Sequence, residues 1–127
     1  MTRILIVDDD PHIVEMLTEA LEVQGYEVAA ATHSLRAYDR AKEFHPDLIL
    51  MDIMMPYLDG LDQVELLSLD SELARIPIIV ITANPRAAQR RTETKHGMIV
   101  ASLEKPFPLE ELITAIEHAL EAHRPAA

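Results

Sequence analysis

Five short runs of Ile, Val and Leu constrain the fold of this chain more than any other feature. They are Ile4–Val7, Val28–Ala31, Leu48–Met51, Ile78–Ile81 and Ile99–Leu103. The runs are nearly continuous rather than alternating, so each strand must be covered on both faces. That pattern belongs to a parallel sheet flanked by helices. Stretches with helical spacing lie between the runs. Ile13, Met16, Leu17, Ala20 and Leu21 repeat along one helical face. Gly25 ends that helix as a C-cap glycine. Leu112, Ile113, Ile116, Ala119 and Leu120 form a second such face, after Pro108 and an acidic first turn at Glu110 and Glu111. Five strands alternating with five helices in 127 residues make one small doubly wound α/β domain, a three-layer α-β-α sandwich. We expect the domain to span residues 1–122, with 123–127 as a C-terminal tail. Periodicity leaves the strand order open.

Several function classes fall away. The chain has no cysteine, which excludes disulfide scaffolds, thiolate metal sites and cysteine nucleophiles. Its net charge of −11 argues against general nucleic-acid binding, which needs a basic face. No apolar run approaches the roughly 20 residues of a membrane span. Met1-Thr2-Arg3 leads directly into a strand without a signal peptide, so a cytoplasmic location is expected.

Ligands of open α/β sheets bind beyond the carboxyl ends of the strands. Here those ends carry chemistry. The first strand runs into Asp8, Asp9 and Asp10, the third into Asp52, the fourth into Thr82, and the fifth is followed by Lys105-Pro106. Clustered carboxylates repel and raise one another's pKa unless a cation intervenes. A hard divalent ion such as Mg²⁺ suits a site of few carboxylates, because it keeps waters and shares phosphate oxygens. A neutralised carboxylate can attack phosphorus, and the charge that moves onto the phosphoryl oxygens needs donors and a counter-charge. Lys105 and the Thr82 hydroxyl fit both jobs. Each residue also has a plainer reading. An Asp after a strand often caps the next helix, and for Asp10, followed by Pro11, capping is the reading adopted. The conjunction at four strand ends carries the argument.

At these residues the sequence resembles the receiver domain of bacterial two-component response regulators. The resemblance rests on Ile4-Leu5-Ile6-Val7-Asp8-Asp9-Asp10, on Asp52-Ile53-Met54-Met55-Pro56 with Asp59-Gly60, on Thr82-Ala83 and on Lys105-Pro106-Phe107, and it covers essentially the whole chain. It implies a flavodoxin-like (CheY-like) parallel sheet of order 2-1-3-4-5. It implies that Asp52 is the phosphoacceptor, taking a phosphoryl group from a sensor histidine kinase or a phosphotransfer protein. Asp9, Asp52 and the Met54 backbone carbonyl would bind Mg²⁺ directly, with Asp8 acting mainly through water and Mn²⁺ as the alternative ion. Lys105 would pair with the acidic cluster and then the phosphate, Thr82 would swing toward the phosphate, and the Lys105-Pro106 bond would be cis. Such a protein catalyses only its own phosphorylation and slow dephosphorylation.

Two departures from the family pattern stand out. The position three before the lysine usually holds Tyr or Phe, which turns inward on activation; here it is Ser102. Gly97 lies eight residues before Lys105, one more than usual, which points to a one-residue shift. The segment 86–95 is locally basic, with Arg86, Arg90, Arg91 and Lys95 against Glu93. It is either a solvated helix face or a partner site. The partner would be a downstream protein or a second copy, docking on the face formed by the fourth helix, fifth strand and fifth helix. The six histidines show no ligand spacing and read as surface residues. An aspartyl-phosphate phosphohydrolase would need a second acid near Asp52, and Met54 cannot serve. The remaining alternative is a receiver-fold interaction module with little phosphorylation-dependent switching.

Overall fold

The computed structural model of this chain describes residues 1–32, 36–53, 60–83 and 98–122. The elements run β1 (Arg3–Val7), α1 (Pro11–Val23), β2 (Glu27–Ala31), α2 (Ala37–Phe44), β3 (Leu48–Asp52), α3 (Gly60–Ser68), β4 (Ile78–Thr82), β5 (Ile99–Glu104) and α4 (Leu109–Ala122). The five strands form one parallel sheet of order β2-β1-β3-β4-β5. Of the five helices expected, four lie among the described residues; the stretch at 86–95 lies outside them.

Side chains alternate across the sheet and build two cores. Leu5, Val7, Ile49, Met51, Ile78 and Val80 pack on one face with Ala37, Ala41, Val64 and Leu67 of α2 and α3. Ile4, Ile6, Leu48, Leu50, Ile79 and Ile81 pack on the other with Leu17, Leu21, Leu112 and Ile116 of α1 and α4. The apolar runs are continuous because both faces need them. Leu50 lies fully buried on the central strand β3. Leu50→Ala is expected to cost about 2–5 kcal/mol in denaturant unfolding, from lost transfer energy and the cavity left behind.

Local chemistry sets the helix ends. Asp10 caps α1: its Oδ1 accepts from the His12 N–H at 2.9 Å, and Pro11 fills the first helical position. After Gln24, Gly25 adopts φ 93°, while the Gly25 and Tyr26 N–H groups donate to the Glu22 and Leu21 carbonyls. Met16, expected on the buried face of α1, is exposed; Leu17 and Leu21 fill that role.

The one-residue departure before Lys105 has a structural counterpart. Ile78 pairs with Ile99, but Ile79 pairs with Ala101. Val100 is therefore bulged out of the ladder and exposed. The bulge turns Ile99 toward the α2/α3 face while Ala101 and Leu103 face α1 and α4. Without it, Ile99 would share a face with Ala101 and Leu103.

A polar clamp ties α2 to the turn after α3. Asp70 Oδ2 accepts from the Tyr38 hydroxyl at 2.6 Å and pairs with Lys42 Nζ at 2.8 Å; Lys42 also reaches Glu72 at 3.2 Å. The Lys42 ammonium, the Tyr38 hydroxyl and the Glu72 N–H hold the Asp70 carboxyl down at about 2, from 3.8. A depressed carboxyl contributes stability that is present above its unfolded pKa and lost as pH falls through the folded value. Unfolding titrations are thus expected to show a loss of stability between pH 3.8 and about 2, and Asp70→Asn should flatten that part of the profile.

Candidate functional site

The sheet order brings the chemistry-bearing strand ends together. β1 and β4 flank β3, and β5 follows β4, so Asp8, Asp52, Thr82 and Lys105 emerge on one edge. Asp52 is the last residue of β3, opposite Ile81, and Thr82 is the last of β4, opposite Glu104. Lys105 stands one residue beyond β5, where its backbone N–H donates to the Thr82 carbonyl at 2.8 Å. The strands thus position all four side chains at or next to their last residues, on backbone already fixed by the ladder. The Lys105-Pro106 peptide bond is cis.

Lys105 Nζ contacts Asp8 Oδ2 at 3.0 Å and Asp52 Oδ2 at 3.1 Å. Asp8 and Thr82 are fully buried, Asp52 is nearly so, and Asp9 is exposed. The Asp10 backbone N–H donates to Asp8 Oδ1 at 2.9 Å. Sequence reading takes Asp10 as a helix cap alone; its amide also fixes the Asp8 carboxylate, which follows from the turn between β1 and α1 rather than from any side-chain type. Burial pushes the Asp8 carboxyl above 3.8, and the Asp52 charge adds to the rise. The Asp10 amide and the Lys105 ammonium oppose it. Burial also works against the Lys105 ammonium, but its two carboxylate partners outweigh that cost and raise its pKa above 10.5.

Asp8, Asp9 and Asp52 each offer a carboxylate oxygen, and these lie within 4.8 Å of one another. One ammonium against three carboxylates leaves two negative charges in a largely buried cluster. A divalent cation with oxygen ligands matches both the charge and the donor type. The residues therefore fit Mg²⁺.

Ser102 lies on β5 opposite Val80, on the α2/α3 side of the sheet, and is exposed. His12, His45 and His118 are exposed. Met54, Arg86, Arg90, Arg91 and Lys95 lie outside the described residues, as do His33, His96 and His123.

Comparison with known proteins places these features in context. The family model described as "Response regulator receiver domain" matches residues 4–117. The polar-differentiation response regulator DivK of Brucella ovis is 35% identical over 121 residues, covering 94% of this chain and 98% of DivK. The DNA-binding dual master transcriptional regulator RpaA of Synechocystis is 34% identical over 120 residues. That match covers 94% of this chain but 49% of RpaA, so the chain spans about half of one relative and nearly all of the other. Among solved structures, the response regulator TrrA of Thermotoga maritima in complex with Mg²⁺-BeF superposes with a TM-score of 0.80 at 29% identity, covering 94% of this chain and 99% of TrrA.

Proposed function

Because this chain belongs to the family of response regulator receiver domains, we propose that it accepts a phosphoryl group on Asp52 and so switches a surface read by a protein partner. Receiver domains act in two-component signal transduction and are not classical turnover enzymes. The observation that carries the reading is the bridge from Lys105 to Asp8 and Asp52 beside the exposed Asp9.

Asp8, Asp9, Asp52 and the Met54 carbonyl would hold Mg²⁺, or Mn²⁺ in its place. When bound, the ion neutralises the carboxylates and binds phosphoryl oxygens. An Asp52 carboxylate oxygen attacks phosphorus, and the bond from phosphorus to the donor breaks. The electron pair leaves with the donor: a histidine imidazole of the kinase, or the carboxylate of a small acyl phosphate. Lys105 is already 3.1 Å from Asp52, so its ammonium follows the new negative charge without a large movement. Thr82 supplies a hydroxyl donor from the neighbouring strand end. Slow hydrolysis of the acyl phosphate resets the switch.

In this reading residues 1–122 are the receiver unit and 123–127 a tail. The partner face includes Arg86, Arg90, Arg91 and Lys95, for a downstream protein or a second copy. No described helix is long and apolar enough to cross a membrane. The proposal takes the protein as cytoplasmic, working through protein partners rather than nucleic acid or lipid.

Incubation with acetyl phosphate and Mg²⁺, followed by intact-mass measurement, tests the reading. One added phosphoryl group with Mg²⁺ and none with a chelator is the expected result. Uptake that ignores the ion overturns the proposed site.

One observation favours the alternative of a module with little switching. The small, exposed Ser102 cannot fill an inward pocket as an aromatic ring would. In that alternative, amide spectra with and without Mg²⁺ and beryllofluoride change mainly around Asp52, Thr82 and Lys105, whereas in the switching reading the changes reach beyond the site. In Ser102→Tyr the changes should extend along β5.

A further inference from the structure

The outer edge of β2 carries a device that the phosphorylation site does not explain. β2 ends the sheet on one side. The Glu27 N–H donates to the Thr2 carbonyl at 2.9 Å, and the Ala31 carbonyl accepts from the Asp8 N–H at 3.2 Å. In a parallel ladder the N–H and C=O of one residue point to the same side. Glu27, Ala29 and Ala31 therefore face β1, and Val28 and Ala30 face outward. No described strand lies beyond them. Such an edge is a template for another strand.

One described side chain crosses onto it. Arg40 of α2 donates from Nε to the outward Ala30 carbonyl at 3.2 Å, and Glu43 holds its Nη1 at 3.6 Å. The opposite edge is managed differently, because the Val100 bulge breaks the regular run of β5. β2 has no bulge: its register with β1 is continuous from Glu27 to Ala31.

We propose that Arg40 is a latch on the outer edge of β2, and that the edge beneath it is a latent pairing surface for β2 of a second copy of this chain. Three observations and one symmetry rule support that occupant. Both faces of the sheet are covered by helices, so the sheet can grow only at an edge. Two copies of one edge strand meet antiparallel about a two-fold axis, a self-complementary contact that closes after two subunits. The side chains of Val28, Ala29 and Ala30 are small enough for two strands and their flanking helices to approach. Glu27, the one acidic residue of β2, is paired with Arg3 at 3.1 Å, so two edges do not bring uncompensated carboxylates together.

The test compares the wild-type chain with Arg40→Ala by sedimentation across a range of concentrations. Physiological salt damps the repulsion between two chains at −11 each. Arg40→Ala is expected to self-associate roughly tenfold more tightly. The Val28 and Ala30 amides should exchange fast in the wild-type chain and become protected in Arg40→Ala as the variant's concentration rises. Ala30→Pro in the same background removes only an outward N–H and should restore the wild-type mass distribution. Where that double variant fails to fold, amide exchange in Arg40→Ala decides. An unchanged mass distribution in Arg40→Ala, or an assembly whose Val28 and Ala30 amides stay fast, overturns the proposal.

Discussion

Asp52→Asn is expected to abolish phosphoryl uptake from acetyl phosphate, lowering it by a factor on the order of 10³ or more. The carboxylate oxygen is the atom that attacks, and the amide that replaces it carries no charge to donate. The fold should survive. Asn has the same shape, β3 keeps its ladder to β1 and β4, and Lys105 keeps Asp8 as a partner at 3.0 Å. Exchange of one charge for an amide also lowers the repulsion within the acidic cluster. Intact mass reads the uptake, and denaturant unfolding reads the stability. A variant that is as stable as the wild-type chain and still gains a phosphoryl group would move the acceptor elsewhere.

Lys105→Met has two expected effects, which separate on adding Mg²⁺. Without the ion, the fully buried Asp8 loses its cationic partner. Breaking a buried pair typically costs 3–5 kcal/mol. About a fifth of the Lys105 side chain is exposed, so solvent screening reduces the loss to about 2 kcal/mol. The sign over pH follows from the raised ammonium pKa. The stability Lys105 contributes is fully present below 10.5 and is lost as pH rises through the higher folded value. The wild-type chain should therefore lose stability above pH 10.5, and Lys105→Met should lack that loss. With Mg²⁺ present the carboxylates regain a counter-charge, and most of the stability defect should disappear. Phosphotransfer should remain slow, by about 10²–10³, because the ammonium that follows the charge onto the phosphoryl oxygens is gone. A variant destabilised without the ion but as fast as the wild-type chain in phosphotransfer with Mg²⁺ would make Lys105 a structural residue alone.

How much of this was legible in the sequence varies from element to element. The strands were legible because each apolar run had to satisfy two faces, and the buried pairs from Ile4 to Ile81 do so. The site was legible because the strands deliver Asp8, Asp52 and Thr82 at their ends without any long-range inference. Contacts that depend on how a helix lies over the sheet were not. Met16 satisfies the helical period, yet α1 turns it to solvent. Gly97 hinted at an extra residue before Lys105, but only the ladder shows that Val100 bulges. The Tyr38–Asp70–Lys42 clamp and the reach of Arg40 to Ala30 join residues on different elements. Neither involves a spacing that one-dimensional periodicity can register.

The most direct measurement is to locate the phosphoryl group. The chain is treated with acetyl phosphate and Mg²⁺, reduced with borohydride, which converts an aspartyl phosphate to homoserine, and fragmented by mass spectrometry. The account predicts the conversion at Asp52 and at no other acid, with Asp8 and Asp9 unmodified. Conversion at Asp8 or Asp9, or a stable phosphate that resists reduction on a hydroxyl or imidazole, would contradict it.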